Sequence, residues 1–352
     1  MMSAIATLHP AYFALVMATG IVSIACSLVE VRPIAVVLLW LNNVFFVVLW
    51  ILTIIRVARF RDRVVADLMK HDRAVGFFTI VAATCVLGSQ WFVIGGAWTL
   101  AAWLWAAGIV LWAGVTYTIF TVLTVKSDKP SLADGINGGW LVSVVAAQSV
   151  AVLGAQLASG FLGRAPVVLL FSVAMWLGGG MLYIWIISLI FYRYTFFEMR
   201  PSDLAPPYWI NMGAVAISTL AGSLLVVAAP YSPVIRDILP FVKGLTLMFW
   251  ATATWWIPML VILGIWRHVY RRFPLRYDPL YWGAVFPIGM YTVATFRLAQ
   301  AIQTPFLMSI PRVFVYVALG AWTLTLIGLL FSFRPVTSFP STPSAPARKP
   351  AG

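Results

Sequence analysis

The sequence predicts an all-α integral membrane protein with ten transmembrane helices, and three observations lead to that prediction. Hydrophobic residues make up 62% of the 352 residues and charged residues only 9%, whereas a soluble domain carries roughly 25% charged residues. The apolar residues fall in ten stretches, each close to the roughly 20 residues that an α-helix needs to cross a bilayer. The basic residues cluster in alternate junctions between these stretches.

The ten stretches divide the chain into one membrane domain and two short terminal segments. The first stretch lacks a small-residue cleavage site followed by polar sequence, so we predict a retained helix and not a signal peptide. We expect residues 1–9 to be a short cytoplasmic N-terminus, residues 10–333 the ten-helix domain, and residues 334–352, rich in Pro, Ser and Ala, a disordered cytoplasmic tail. The predicted helices are Pro10–Leu28, Ile34–Ile55, Ala74–Ile94, Trp98–Val125, Gly138–Ala158, Pro166–Tyr192, Pro207–Ala229, Leu239–Trp266, Pro279–Ala301 and Val313–Phe333.

The positions of Lys and Arg predict how the helices are oriented. The even-numbered junctions and the tail hold 17 of the 23 basic residues, while the odd-numbered junctions hold only Arg32, Arg164, Arg236 and Arg312. Basic residues remain on the cytoplasmic side of a membrane protein. The pattern therefore predicts a multi-pass protein of the plasma (inner) membrane with both termini in the cytoplasm. It also explains the net charge of +13 without a nucleic-acid partner.

The odd-numbered and even-numbered stretches differ in content. The odd stretches recur at a nearly constant interval and contain small and weakly polar residues, whereas the even ones are mostly smoother and richer in Leu, Val, Ile and Trp. This pattern predicts five helical hairpins, with five inner helices around a pore and five outer helices that shield them. Close helix packing is the alternative reason for the small residues. The candidate pore-lining residues outside the ninth stretch are Thr19, Gly20, Ser23, Thr79, Gln148 and Asn211.

The predicted helices contain no carboxylate, since all ten Asp and Glu residues fall in junctions. Proton relays and cation sites within membranes depend on buried carboxylates. An interior without negative charge is suited to anions, and this is the main physical argument about the substrate.

No cofactor, metal site or catalytic cluster is predicted. His9, His71 and His268 lie at the edges of stretches, where solvated junction residues are the ordinary interpretation. Cys26 and Cys85 lie within stretches and are expected to be small buried hydrophobic residues. We therefore do not expect an enzyme, and a membrane assembly protein without transport activity remains the alternative from another class.

The ninth stretch, WGAVFPIGMYTVATFRLAQA, carries the strongest functional signal in the chain. Pro287 and Gly289 interrupt it, and a proline within a membrane helix is tolerated where the freed carbonyl finds a partner or lines a cavity. Arg297 is costly inside a membrane, so it should face protein or water. It either concentrates anions or braces helices by binding backbone carbonyls. Thr292 is a further pore-lining candidate.

Phe286 lies next to the interruption at Pro287. A large apolar ring beside a helix bend can block a narrow pore by excluding water, and we predict that Phe286 is such a gate. The alternative is an ordinary packing residue. Lys243, near the end of the eighth stretch, is expected to reach the membrane surface.

Four segments, read together, resemble the tellurite-resistance/dicarboxylate transporter family. They are HPAYFALVMATGIVSIA, KHDRAVGFFT, GGWLVSVVAAQSVAVLGAQLA and FPIGMYTVAT, in the first, third, fifth and ninth stretches. The family includes bacterial tellurite-resistance membrane proteins, yeast malate and sulfite permeases and the plant guard-cell slow anion channels. The resemblance covers about residues 9 to 333.

The resemblance implies ten helices in five hairpins about a quasi-fivefold central pore, in a homotrimer with one pore per subunit. It implies that a phenylalanine of the ninth helix, here Phe286, occludes the pore, and the plant channels carry a basic residue where this chain has Arg297. Long terminal regulatory segments of the plant channels have no counterpart here, so we expect a carrier or an ungated or weakly gated anion channel. The expected substrates are small anions such as C4-dicarboxylates, sulfite, tellurite or inorganic anions.

Overall fold

The computed structural model describes residues 2–332, and in that range the chain is helical without any β-strand. This confirms the all-α membrane class. The predicted tail, 334–352, lies outside the described residues. The ten long helices are α1 Ala14–Leu28, α2 Arg32–Arg59, α3 Phe78–Val93, α4 Trp98–Val125, α5 Val142–Leu157, α6 Ala165–Phe196, α7 Ile210–Ala228, α8 Leu239–Ile265, α9 Trp282–Ala301 and α10 Ser309–Ser332.

Nine of these helices, together with adjoining short turns, are long and apolar enough to cross a membrane. The exception within residues 2–332 is α9, which has the length of 20 residues but carries Arg297 and Gln300. The ten membrane spans therefore stay a prediction. Several helices extend beyond the predicted stretches: α2 includes Arg32 in its first turn and Arg59 in its last, because long cationic side chains can reach the membrane surface.

The odd-numbered helices form a closed ring of five. Helix α1 packs against α3, α3 against α5, α5 against α7, α7 against α9, and α9 returns to α1. In each of α1, α3, α5 and α7, 83–94% of the residues in the most apolar segment are buried. Helix α9 buries 14 of its 20 residues. The ring is thus the interior of the protein.

The even-numbered helices form an outer layer. Each packs against the inner helix that precedes it in the chain, so the five hairpins predicted from the sequence are present. Only 17–50% of the residues in their apolar windows are buried, and large apolar side chains such as Trp103 and Val110 are 72% exposed. Apolar side chains exposed on every outer helix fit a surface that faces lipid.

Each inner helix begins with a 3₁₀ turn, and all five turns lie at the same end of the bundle, which we name the start end. A Cβ atom on Gly138 would lie 2.3 Å from the carbonyl oxygen of Pro207, so only glycine allows the third and fourth turns to approach this closely. The turns are Pro10–Phe13, Val75–Phe77, Gly138–Leu141, Pro206–Trp209 and Pro279–Tyr281.

The predicted interruption of the ninth helix is milder than expected, since α9 runs continuously through Pro287. Proline lacks an N–H, so the carbonyl of Gly283 one turn earlier has no helical partner. Gly283 lines a cavity, where water can hydrate that carbonyl. The outer helix α8 also contains an internal proline, Pro258.

A buried ion cluster fixes the N-terminal segment at the start end. Arg56 and Arg73 both bind the carboxylate of Asp67, with Arg56 Nη2 at 2.6 Å. The same arginines donate to the carbonyls of Ala6 and Leu8. Burial alone would raise the pKa of Asp67, but the bonds from Arg73 and Arg56 outweigh it and hold that pKa below its usual value.

Candidate functional site

A cavity of about 420 Å³ opens at the start end of the ring, and we name it the vestibule. Because all five inner helices begin here, the unpaired N–H groups of their first turns and the positive ends of their dipoles lie around it. Such helix ends favour negative charge. Each inner helix contributes one residue of its first two turns to the wall: Ala14, Thr79, Val142, Ile210 and Gly283.

Arg193, at the end of α6, is a cation in the wall of the vestibule. Its side chain is only 9% exposed and lies 3.5 Å from the carboxylate of Asp203. It also donates to the carbonyl oxygen of Ala133 at 2.6 Å and to the hydroxyl of Tyr208. These bonds hold the guanidinium at the wall, which Asp72 and Asp134 also line beside Asp203.

Three polar side chains cap the 3₁₀ turns around the vestibule. His9 Nδ1 accepts from the N–H of Ala11 at 3.1 Å, and Asn137 and Asp278 accept in the same way, each at 2.8 Å and two residues ahead. Burial lowers the pKa of His9, and the charge of Arg73 lowers it further. His9 is therefore neutral at pH 7, as its role as an acceptor requires.

A second cavity of about 20 Å³ lies further along the same axis, and we name it the far cavity. Its volume is close to what one water molecule needs, and its wall is mostly aliphatic with a few polar groups such as Ser89, Ser149 and Gln156. Each inner helix lines both cavities with residues seven positions apart, about two turns. The pairs are Ala14 and Ile21, Thr79 and Val86, Val142 and Ser149, Ile210 and Ile217, and Gly283 and Met290.

The turn between the two cavities is where the sequence-predicted gate lies. Residues three or four positions beyond each vestibule residue occupy this level, and in α9 they are Phe286 and Pro287. Phe286 is 1% exposed and is one of the largest fully buried side chains. The other four helices place only Met, Ala, Val or Gly at this level: Met17, Ala18, Ala82, Ala83, Val145, Ala146, Gly213 and Ala214.

Pro287 and Gly289 face neighbouring helices. A Cβ on Gly213 would lie 2.7 Å from Cγ of Pro287, and a Cβ on Gly289 would lie 2.9 Å from Cγ2 of Ile21. The missing side chain of Gly213 thus accommodates the proline ring between α7 and α9. Beside Pro287, which packs against α7, Phe286 is buried at the level between the two cavities.

Of the six candidate pore-lining residues outside the ninth stretch, Thr79 is the one that lines the vestibule. Its hydroxyl donates to the carbonyls of Gly76 at 2.6 Å and Pro10 at 3.2 Å. These bonds tie the second 3₁₀ turn to the first.

Five of the remaining candidates bind or contact other helices, which indicates a packing role, and the sixth, Thr292, binds within its own helix. Thr19 accepts from Trp322, Ser23 donates to the carbonyl of Ala35, Gln148 donates to that of Trp176, Asn211 donates to the hydroxyl of Tyr194, and Thr292 donates to the carbonyl of Ile288 one turn earlier in α9. Gly20 leaves room for Val86 and for the bonded pair Asn42 and Gln90.

Arg297 lies seven residues beyond Met290 and thus on the same face of α9 as the residues lining both cavities. It is half-buried, and its Nη1 donates to Gln300 at 3.0 Å. No carboxylate among residues 2–332 lies within ion-pair distance of it. Its charge is therefore uncompensated at the end of the axis opposite the vestibule.

Sequence reasoning missed most of the axis-lining residues because they are apolar. Ala14, Val142, Ile210 and Gly283 resemble any buried residue of a membrane helix, and the search for polar groups passed over them. The seven-residue repeat from each helix start was the signal that could have identified them. Arg193 was counted only as part of the charge asymmetry.

Comparison with known proteins gives one family and several relatives. The family described as SLAC1, voltage-dependent anion channel, matches residues 7–330. An uncharacterised membrane protein of Mycobacterium tuberculosis is 43% identical over 149 residues, which are 42% of this chain and 75% of that protein. An uncharacterised transporter of Methanocaldococcus jannaschii is 25% identical over 324 residues, or 90% and 91% of the two chains. The sulfite efflux pump of Trichophyton rubrum is 24% identical over 345 residues, or 91% and 89%.

Proposed function

Since the chain belongs to the SLAC1 family of voltage-dependent anion channels, we propose that it carries small anions across the membrane along the axis of its five inner helices. Membership confirms the family that the sequence resembled, a family of membrane channels and transporters. The proposed path enters the vestibule, passes Phe286 and continues through the far cavity. The observation that supports it is the seven-residue register by which every inner helix lines both cavities.

Beyond the vestibule, the electrostatics of the axis favour anions over cations. Five helix starts surround the vestibule with positive dipole ends, Arg193 adds a cation there, and Arg297 leaves an uncompensated charge at the opposite end. None of the five inner helices contains Asp or Glu. Beyond the vestibule a cation on this path would meet no carboxylate of an inner helix, and an anion would meet the uncompensated charge of Arg297 at the far end. The vestibule wall itself holds the carboxylates of Asp72, Asp134 and Asp203 beside Arg193.

The proposed gate is the Phe286 ring. At its level the other four helices present mostly small side chains, so one aromatic ring suffices to fill the space that they leave. To pass, an ion must lose hydration water inside an apolar constriction, and this desolvation is costly. Movement of this ring, or of α9 that carries it, would open the path.

The substrate, membrane and assembly are proposed more broadly. The narrow, aliphatic far cavity favours small anions that release water readily, among them nitrate, chloride and singly protonated sulfite. Sulfite has a precedent in the pump of Trichophyton rubrum, and C4-dicarboxylates and tellurite stay within the proposed class. We place the protein in the plasma membrane as a homotrimer, with the start end and both termini on the cytoplasmic side.

Flux measurements on the full chain in proteoliposomes test the proposal. Vesicles loaded with chloride, nitrate, sulfite or malate are assayed for efflux at matched osmolarity, beside empty vesicles and vesicles loaded with potassium and an impermeant anion. We expect efflux of at least one anion and no potassium flux. Potassium flux without anion flux would contradict the proposal, and no flux of any ion, also from Phe286→Ala, would favour a membrane assembly role.

A further inference from the structure

A separate cavity of about 240 Å³ lies at the start end, between the end of α8 and the starts of α7 and α9. We name it the side cavity. Leucines such as Leu260 and Leu263 form much of its wall, and the polar side chains in it are those of Tyr208, Trp209, Arg267, His268 and Tyr281. No carboxylate belongs to the wall among the described residues. The side cavity is therefore an apolar pocket with a cationic end.

Arg267 is buried in this wall without an anionic partner. The residue is 9% exposed, and its Cζ lies 4.4 Å from the centre of the Phe273 ring. Within residues 2–332 its side chain forms no ion pair, and its Nε is buried without a hydrogen-bond acceptor. A buried guanidinium with unused donors is costly, and an acceptor supplied from outside would remove that cost.

The backbone around Arg267 is shaped to hold it in place. Trp266–Tyr270 forms a π-helical segment at the end of α8, a feature frequent at functional sites. Phe273 returns to this segment: its N–H donates to the carbonyl of Arg267 at 3.0 Å, and its carbonyl lies 2.9 Å from His268 Nδ1. Arg272, in the turn between, has a φ of 50°, which is uncommon for a residue other than glycine.

We propose that the side cavity binds a phosphate group, as the head group of an anionic phospholipid or as free phosphate. The planar guanidinium donates to phosphate oxygens in pairs, and Arg267 has donors available for this. The stretch 266–278 carries four arginines and one acid, Asp278, whose carboxylate already caps Leu280. The leucine wall beside the cationic end suits the first part of an acyl chain.

The site is distinct from the proposed anion path. It borders the vestibule, since Ala205 and Tyr208 line both cavities, but Arg267 belongs only to the side cavity. Its wall includes Ala284 of α9, two residues before Phe286. Binding here is measured without any flux assay, so a failure of this proposal is distinguishable from a failure of anion transport.

Two variants remove the site by different means. Arg267→Gln removes the charge and its paired donors. Gly264→Leu fills the pocket, because Gly264 lines the cavity and a Cβ there meets no atom within 4 Å. The controls are Arg272→Gln, which removes a charge from the same loop, and Gly244→Leu, at a glycine of the same helix with equally free space.

The experiment measures binding to the purified full-length protein by native mass spectrometry and by thermal stabilisation. The probes are inorganic phosphate, phosphatidylglycerol and, as the uncharged-lipid comparison, phosphatidylcholine. We expect phosphatidylglycerol, phosphate or both to bind the wild type and raise its Tm, and phosphatidylcholine to do neither. Arg267→Gln and Gly264→Leu should weaken binding about tenfold or more, while both controls bind as the wild type does.

Each outcome decides the question. Binding of phosphate alone identifies free phosphate as the source, and binding of phosphatidylglycerol alone identifies a lipid; both support the site. Binding that persists in Arg267→Gln and Gly264→Leu, or a wild type that binds neither probe, overturns it. Should Arg267→Gln fail to fold, Gly264→Leu decides alone, since it leaves the arginine in place.

Discussion

The two halves of the bundle axis are built from the same five helices but differ in size and chemistry. At the start end the vestibule holds about 420 Å³ and is lined by charged side chains and capped turns, whereas two turns further the far cavity holds about 20 Å³ and is mostly aliphatic. The difference follows from helix geometry. Helix starts leave unpaired N–H groups that attract polar caps, while helix interiors are satisfied internally and pack closely.

From this comparison we predict that the barrier to ion movement lies at and beyond the level of Phe286. On the vestibule side an ion can keep part of its hydration shell, because a cavity of about 420 Å³ has room for the ion and several water molecules. On the far side only about one water molecule fits. Three substitutions test this assignment, one at the boundary, one at the far end and one at the start end.

Phe286→Ala should have the largest effect, because it joins the two halves. We expect anion flux to rise markedly, since lowering a barrier by only about 1.4 kcal/mol raises a rate about tenfold. The lost packing should also cost about 3–5 kcal/mol of folding free energy. Flux in proteoliposomes and the Tm of the same preparation are measured together.

The matched control for that variant is Phe249→Ala. Phe249 is also 1% exposed, but it lies on the outer helix α8 with its ring 6.0 Å from that of Trp176. Its truncation should lower the Tm by a similar amount and leave flux unchanged. A destabilised Phe286→Ala protein with unchanged low flux would identify Phe286 as a packing residue only.

Arg297→Gln should have an intermediate effect at the far end. Loss of the uncompensated charge lowers the local concentration of anions, and we expect flux to fall about twofold to tenfold, more at low ionic strength. Lys243→Gln is the control, since that side chain lies in α8 and can reach the membrane surface. Loss of expression in Arg297→Gln, with normal expression of the control, would instead indicate that the arginine braces helices.

His9→Ala should have the smallest effect, because it removes one cap at the start end. We expect a loss of about 1 kcal/mol in folding stability, which His9→Asn should largely restore as asparagine also caps. Circular dichroism melts of the three proteins at pH 8 give the comparison. Equal Tm values for wild type and His9→Ala would show that the cap does not contribute to folding stability.

The pH dependence of the same residue has a defined sign. Burial and Arg73 lower the pKa of His9 and outweigh the nearby carboxylates of Asp67, Asp278 and Asp72. A folded-state pKa below the unfolded value of about 6.5 means that the stabilisation is present above that pH and is lost as the pH falls below it. The Tm difference between wild type and His9→Asn should therefore shift against the wild type between pH 7 and pH 5.

Much of the fold was predictable from hydropathy and charge, and the reason is physical. A bilayer requires long apolar helices, so α4, Trp98–Val125, was predicted to the residue. The 3₁₀ turns were not predicted, since Pro10 and Pro279 were taken as the first residues of regular helices. Proline at a helix start is compatible with either geometry, and only packing between neighbouring turns decides.

The site was less predictable than the fold. Phe286 and Arg297 were chosen as candidates because an aromatic ring beside a proline and a charge in an apolar helix are exceptional, and both roles stay predictions. Gln148 and Asn211 looked equally exceptional, yet their amides bind Trp176 and Tyr194 of the outer helix α6. A polar group in a membrane helix must find a partner, and the sequence does not say whether that partner is a neighbouring helix or a hydrated path.

The shared direction of the five inner helices makes the ring electrically polar along its axis. The five outer helices run antiparallel to them and oppose their dipoles, but the inner helices lie nearer the axis, so their parallel dipoles set the direction of the field inside the ring. A conductor with such a built-in field rectifies: with equal anion concentrations on both faces, voltages of opposite sign drive unequal currents. The direction of rectification would report, without any labelling, which face of the membrane the helix starts occupy.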